Sequence, residues 1–239
     1  MQSNLSKTLE ELQNLENQNI EYLLTRFNRK ATSEPDDLDI LVRKRDFQKV
    51  IRLLNKVGYQ SFSHDQALGG RIKGMQKNLV KKDRIKIDLH QDFTWRKTRY
   101  LDLHFIWNKM ETHKIDGINF LQPQVEIDAF IILINTIFEK TYINKSDFTY
   151  IKDYLPLIIN NTIFDEQAKK YGWSKTYHLF KKWYLSSKMN STPIFLPVYL
   201  IIFSYIEKFV KDKKIDLISF MYYVFFRIRF QINGVLPYE

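Results

Sequence analysis

Asp36-Asp37-Leu38-Asp39-Ile40-Leu41-Val42 reads as a short β-strand with carboxylates on alternate positions. Successive strand side chains point to opposite faces, so Asp37 and Asp39 emerge together while Leu38, Ile40 and Val42 anchor the other face in a core. Two carboxylates side by side repel, and the commonest reason to build such a pair is a divalent metal between them. A strand end whose acidic residues simply face water is the competing reading.

On the N-terminal side, Leu5, Leu9, Leu12 and Leu15 recur at helical spacing among Glu, Gln and Asn, which predicts a docking helix. Residues 20–27 follow as a strand, with Tyr22 and Leu24 packing and Arg26 near its end. Residues 28–35 are polar and end in a proline, which favours extended structure just before the acidic strand. On the C-terminal side, Asp46 is placed to cap a helix whose stripe is Phe47, Val50, Ile51, Leu54 and Val57, with Gly58 closing it and a strand over 59–62. The basic run 69–86 leads into Ile85-Lys86-Ile87-Asp88-Leu89-His90, a second alternating strand. Asp88 projects away from the Ile85, Ile87 and Leu89 face, with His90 one alternation beyond it. A third carboxylate thus arrives on a strand that can lie beside the first.

The chain is 239 residues long with a formal net charge of +10, the basic excess being spread over both halves. Such a protein is drawn to anions, which fits nucleotides, RNA, DNA or an acidic membrane surface without choosing among them. No cysteine is present, so disulfides and thiolate metal sites are excluded and a cytoplasmic setting is expected. The longest apolar run, residues 194–205, is interrupted by Pro197 and falls short of the roughly 20 residues a membrane span needs.

From Pro123 onward the pattern turns helical. Ile127, Phe130, Ile131, Ile134, Ile137 and Phe138 form one buried stripe, and further helices are predicted at 146–160, around 164–185, at 193–211 and at 216–231. Trp173, Tyr177, Phe180, Trp183 and Tyr184 dominate one of these, and Phe220, Tyr222, Tyr223, Phe225, Phe226 and Phe230 another. They are expected to be the core of a helical bundle; a surface for stacking single-stranded RNA and a hairpin lying on a membrane are the alternatives.

Asp37-Leu38-Asp39-Ile40 followed about fifty residues later by Ile87-Asp88-Leu89-His90, with a helix ending in Gly58-Tyr59 between them, resembles the nucleotidyltransferase superfamily typified by DNA polymerase β, and more narrowly its small microbial members. The likeness covers residues 20–110. It implies an α/β (α+β) fold, a mixed sheet with flanking helices, followed by an all-α domain; the expected division is 1–120 and 121–239. It further implies that Asp37, Asp39 and Asp88 are catalytic and hold Mg²⁺ (or Mn²⁺), and that a nucleoside triphosphate, ATP or CTP, donates a nucleotidyl group to a hydroxyl on RNA, protein or a small molecule. Two such metals can stabilise both the attacking and the leaving oxygen of an in-line displacement. The family usually carries Gly-Ser where this chain has Thr25-Arg26-Phe27-Asn28. Arg26, with Arg29 and Lys30 behind it, is therefore expected to bind phosphate by side-chain charge. A catalytically silent binding or regulatory module, such as the antitoxin-like half of a protein pair, is the alternative from another class, and a basic RNA-binding protein without a metal site is a third.

Overall fold

The computed structural model describes residues 3–27, 35–61, 76–95, 98–140, 142–143, 145–186 and 194–211, together with positions 225 and 229. In chain order the first elements are helix α1 (Asn4–Glu16), strands β1 (Tyr22–Thr25) and β2 (Asp37–Val42), helix α2 (Phe47–Lys56), and strands β3 (Gln60–Ser61), β4 (Gln76–Val80) and β5 (Lys86–His90). The five strands form one mixed sheet in the order β1-β2-β5-β4-β3, in which β2 and β5 run parallel and the other pairings are antiparallel. The acidic strand and the Ile-Asp-Leu-His strand are thus central neighbours.

Alternation decides which face is core. Leu38, Ile40 and Val42 of β2, with Tyr22 and Leu24 of β1 and Ile87 and Leu89 of β5, pack in one cluster with Leu9, Leu12 and Leu15 of α1 and Phe47, Val50 and Leu54 of α2. Both helices therefore cover the face away from the carboxylates. α1 is fastened there by polar ties as well: the Thr8 hydroxyl accepts the Ile85 N–H at 3.0 Å, and Glu11 accepts from Lys81 Nζ and Arg84 Nε at 2.7 Å each. Its Ser3 cap accepts the Ser6 N–H at 3.1 Å. α2 begins differently from expectation. Asp46 has helical backbone angles and makes no side-chain cap bond; its carbonyl instead accepts the Val50 N–H at 2.9 Å. Gly58, at φ +98°, ends that helix in the left-handed conformation glycine tolerates best.

After the short strands β6 (Thr94–Trp95) and β7 (Thr98–Arg99) comes helix α3 (Leu103–Trp107), and then a hairpin that the apolar pattern had not signalled, β8 (Met110–Ile115) with β9 (Ile118–Pro123). Its turn is Asp116-Gly117, both at positive φ (48° and 87°), the geometry that suits the twist of two flanking strands. Ile118 and Phe120 of β9 join the sheet's core, and Phe27 stacks edge-on against Phe120.

The remaining elements are helix α4 (Val125–Asn135), continued by one π-helical turn (Thr136–Lys140), strand β10 (Tyr142–Ile143), helices α5 (Lys145–Ile159), α6 (Thr162–Lys170) and α7 (Ser174–Ser186), strand β11 (Ile194–Phe195) and helix α8 (Val198–Lys211). The single helix expected around 164–185 is two, broken at Tyr171-Gly172, where Gly172 adopts φ +74° and the Trp173 N–H turns back to the Ala168 carbonyl at 2.8 Å. Trp173, Tyr177 and Phe180 are fully buried, and Trp173 lies 5.6 Å from the rings of Phe130, Phe138 and Tyr177. These aromatics are core. The helix expected at 216–231, with most of its aromatic residues, lies outside the described residues.

By contact the chain groups into two compact units, Met1–Thr94 with Leu103–Asp128, and Trp95–Asp102 with Ala129–Glu239. The second unit has its own ties back to its 95–102 segment: Trp173 Nε1 donates to the Tyr100 carbonyl at 3.0 Å, and the buried Lys208 ammonium donates to the carbonyls of Arg99 and Tyr171, each at 2.8 Å. No helix among the described residues is long and apolar enough to cross a membrane.

Ile87 is fully buried at the centre of the sheet. Ile87→Ala is expected to lower stability by about 2–5 kcal/mol, read as a lower urea midpoint at unchanged slope.

Candidate active site

The parallel pairing of β2 and β5 sets Asp39 opposite Asp88, Asp37 opposite Lys86 and Leu41 opposite His90. Across the other edge of β5, Asn78 stands opposite Asp88 and Gln76 opposite His90. Residues in register on neighbouring strands share a face, so Asp37, Asp39, Lys86, Asp88, His90, Gln76 and Asn78 form one polar floor. The three predicted carboxylates are brought together. Asp39 and Asp88 are 7 % and 8 % exposed, whereas the Asp37 side chain is 41 % exposed at the strand's open end.

Each carboxylate is held by a cationic or hydrogen-bonding neighbour. The Arg26 guanidinium ion-pairs with Asp39 Oδ1, and His90 Nε2 lies 3.0 Å from the same oxygen. Lys86 bridges the other two, its Nζ 3.5 Å from Asp37 Oδ2 and 3.2 Å from Asp88 Oδ1. Partial burial pulls the Lys86 pKa down, but the Asp88 and Asp37 charges more than offset this, and the ammonium is held above the usual lysine value. Its contribution to stability is present at and below that usual value and is lost only as the pH climbs past the raised one.

The two pairings differ in weight. Arg26 and Asp39 are both largely buried, so removing either partner strands a buried charge, at a cost of about 3–5 kcal/mol. The Lys86 side chain is 36 % exposed, and ion pairs of that kind contribute at most about 1 kcal/mol.

Arg26 reaches Asp39 from an uncommon backbone. At φ +58° it is left-handed, a conformation that disfavours a side chain by roughly 1–2 kcal/mol. Its N–H donates to the Asp128 carboxylate from the first turn of α4, and Asp128 is completely buried. A hydrogen bond to a charged acceptor stabilises by about 1.5–3 kcal/mol, enough to hold the turn. Asp128 and Lys86 were not among the residues singled out from sequence. Lys86 carried a signal, two positions before Asp88 on an alternating strand; Asp128, about a hundred residues from Arg26, carried none. Arg29 and Lys30 lie outside the described residues.

Among the described residues no three His, Asp or Glu side chains stand as a ready metal cage. The donor chemistry nevertheless fits a hard divalent ion. Two buried carboxylates and a third beside them offer only oxygens, and Lys86 Nζ already occupies a cation position shared by two of them.

The chain matches the family model described as "Uncharacterised nucleotidyltransferase" over residues 22–181. Among solved structures it is similar to the lincomycin-bound lincosamide antibiotic adenylyltransferase LnuA, at 16 % identity and a TM-score of 0.42, over 60 % of this chain and 91 % of that one. It is also similar to the antibiotic-resistance factor ANT(2'')-Ia, at 9 % identity and a TM-score of 0.42, over 74 % and 94 %. A third likeness is to an antigenic nucleotidyltransferase-like protein from Paracoccidioides brasiliensis, at 14 % identity and a TM-score of 0.44, over 82 % and 94 %. No curated protein matches the sequence.

Asp128→Ala leaves the Arg26 N–H without this carboxylate and the left-handed turn without its compensation. An equilibrium urea titration is expected to show a loss of about 1–3 kcal/mol, whereas an Asp128→Asn variant, which keeps an oxygen acceptor, loses less.

Proposed function

The chain belongs to this nucleotidyltransferase family, and from that premise we propose that it moves a nucleoside monophosphate from a nucleoside triphosphate, ATP or CTP, to a hydroxyl on its acceptor, with Asp37, Asp39 and Asp88 as the catalytic carboxylates. The observation that carries this reading is the register of β2 on β5, which sets Asp39 against Asp88 on one face with Asp37 one alternation away. A core face of Leu38, Ile40, Val42, Ile87 and Leu89 holds that register, so the three side chains are fixed by packing rather than by loop conformation.

Asp37, Asp39 and Asp88 would hold Mg²⁺ (or Mn²⁺), which when bound supplies positive charge against the phosphate oxygens. The chain's own residues do the rest. Asp39 is oriented by Arg26 and His90, the two groups on its Oδ1. Arg26, at the end of β1, supplies a guanidinium whose planar fork suits phosphate oxygens, with Arg29 and Lys30 following within four residues of sequence. Asp88, largely buried on the same face, serves as the base that takes the proton of the attacking hydroxyl. The hydroxyl oxygen forms a bond to the α-phosphorus, the bond from that phosphorus to the bridging oxygen breaks, and pyrophosphate leaves with the electron pair.

Calorimetric titration of each of the four NTPs, with and without Mg²⁺, tests the reading. Wild-type protein is expected to bind one NTP preferentially and only with the metal, and Asp37→Asn/Asp39→Asn to lose that binding while its circular dichroism is unchanged. Asp39→Asn keeps an oxygen for Arg26 and so keeps the fold, but is expected to abolish transfer. Transfer at wild-type rate in that variant, or no NTP binding by well-folded wild type, would refute the assignment, and the second result would turn the search to a silent binding module.

A further inference from the structure

We propose that the Lys86 ammonium is the resident counter-cation of the Asp37 and Asp88 carboxylates and the group a divalent ion must displace to enter the site, so that metal binding here is an exchange. The inference rests on the metal reading above and adds to it a residue that competes with the metal.

Asp37 and Asp88 are diagonal neighbours across β2 and β5, since Asp37 pairs with Lys86 and Asp39 with Asp88. Their oxygens are near enough to share one cation, and Lys86 Nζ, at 3.5 Å and 3.2 Å, is that cation. Two features make it displaceable. Its side chain is 36 % exposed, so it can swing out without leaving a void, and ion pairs at such exposure are weak. The Arg26 pair with Asp39 is the opposite case: both partners are largely buried, and the backbone that carries the guanidinium is held in its left-handed turn by Asp128. Metal therefore enters at the Lys86 end. A lysine bridge that contributes little to the fold and yet sits on two of the three candidate ligands is better explained as a stand-in for the metal than as a structural tie. It keeps two like charges apart until a stronger cation arrives, and once displaced leaves an ammonium beside a site that receives an anionic substrate.

The test is Mn²⁺ binding without nucleotide, followed by loss of the free-ion electron paramagnetic resonance signal, on wild type, K86M, K86Q, K86R and D88N, each first checked for fold by circular dichroism. K86M and K86Q are expected to bind Mn²⁺ roughly tenfold more tightly than wild type, as removal of a weak competing ion pair allows. K86R, which keeps the charge, stays near wild type, and adding D88N removes the tight binding. In chelator, K86M is expected to melt below wild type and to recover when Mn²⁺ is added. If K86M does not fold, K86Q carries the comparison. Equal or weaker Mn²⁺ binding by the folded uncharged variants, still lost in D88N, would overturn the exchange while leaving the metal reading intact. Absence of Mn²⁺ binding in every folded variant would overturn both.

Discussion

Three carboxylates on one face of two adjacent strands cannot all be ionised unless positive charge is placed among them. Neighbouring strands lie roughly 5 Å apart, and two like charges at that distance repel by about 3 kcal/mol at the effective dielectric of a protein surface. That is a large share of the 5–15 kcal/mol that holds a typical domain together. The row on β2 and β5 therefore depends on the buried Arg26 pair for most of its compensation, with the more exposed Lys86 adding a weaker one. Arg26 neutralises the most buried end of the row, and Lys86 the diagonal pair at its mouth.

The architecture around this row serves to fix its register. A slip of one residue between β2 and β5 would turn Asp37 and Asp39 into the cluster now filled by Leu38, Ile40 and Val42, an error the core forbids. α1 guards the same register from a distance. Thr8 accepts the N–H of Ile85, the residue just before β5, and Glu11 gathers Lys81 and Arg84 from the turn between β4 and β5. A helix more than sixty residues upstream thus determines where β5 begins, and with it where Asp88 falls relative to Asp39. Asn78 and Gln76 extend the polar floor on the far side of β5, joined by a 3.2 Å bond from Gln76 Nε2 to Asn78 Oδ1.

Period-2 alternation made β2 and β5 legible, because a strand with one buried face writes its two faces into alternate residues; Asp37, Asp39, Asp88 and His90 could all be assigned to one side from that alone. The same logic reached Leu9, Leu12 and Leu15 at the helical period. What local pattern cannot encode is pairing across distance. Asp128 reads as an ordinary acidic residue opening a helix, and only the fold brings it to Arg26. The β8–β9 hairpin was missed for another reason: Glu111, Thr112, His113 and Lys114 of β8 are largely exposed or half-buried, so the apolar alternation that marks the central strands is absent, although Asp116-Gly117 was a turn signal in plain view. The break at Gly172 was hidden by aromatic residues that continue on both sides of it, since Phe164, Trp173 and Tyr177 all feed one cluster whether one helix or two carries them.

The departure at residues 25–28 from the Gly-Ser expected by resemblance takes a physical form in Arg26. A glycine would adopt φ +58° without strain but would bring no charge. Arginine at that backbone is disfavoured by about 1–2 kcal/mol, and its N–H is committed to Asp128. In exchange the turn holds a guanidinium directly on Asp39. The buried acid on α4, the left-handed residue ending β1 and the central carboxylate of β2 are therefore one linked device. The turn is built around a fixed side-chain cation, and a glycine introduced at position 26 would relax the backbone and keep the N–H that Asp128 accepts, while leaving Asp39 without its guanidinium.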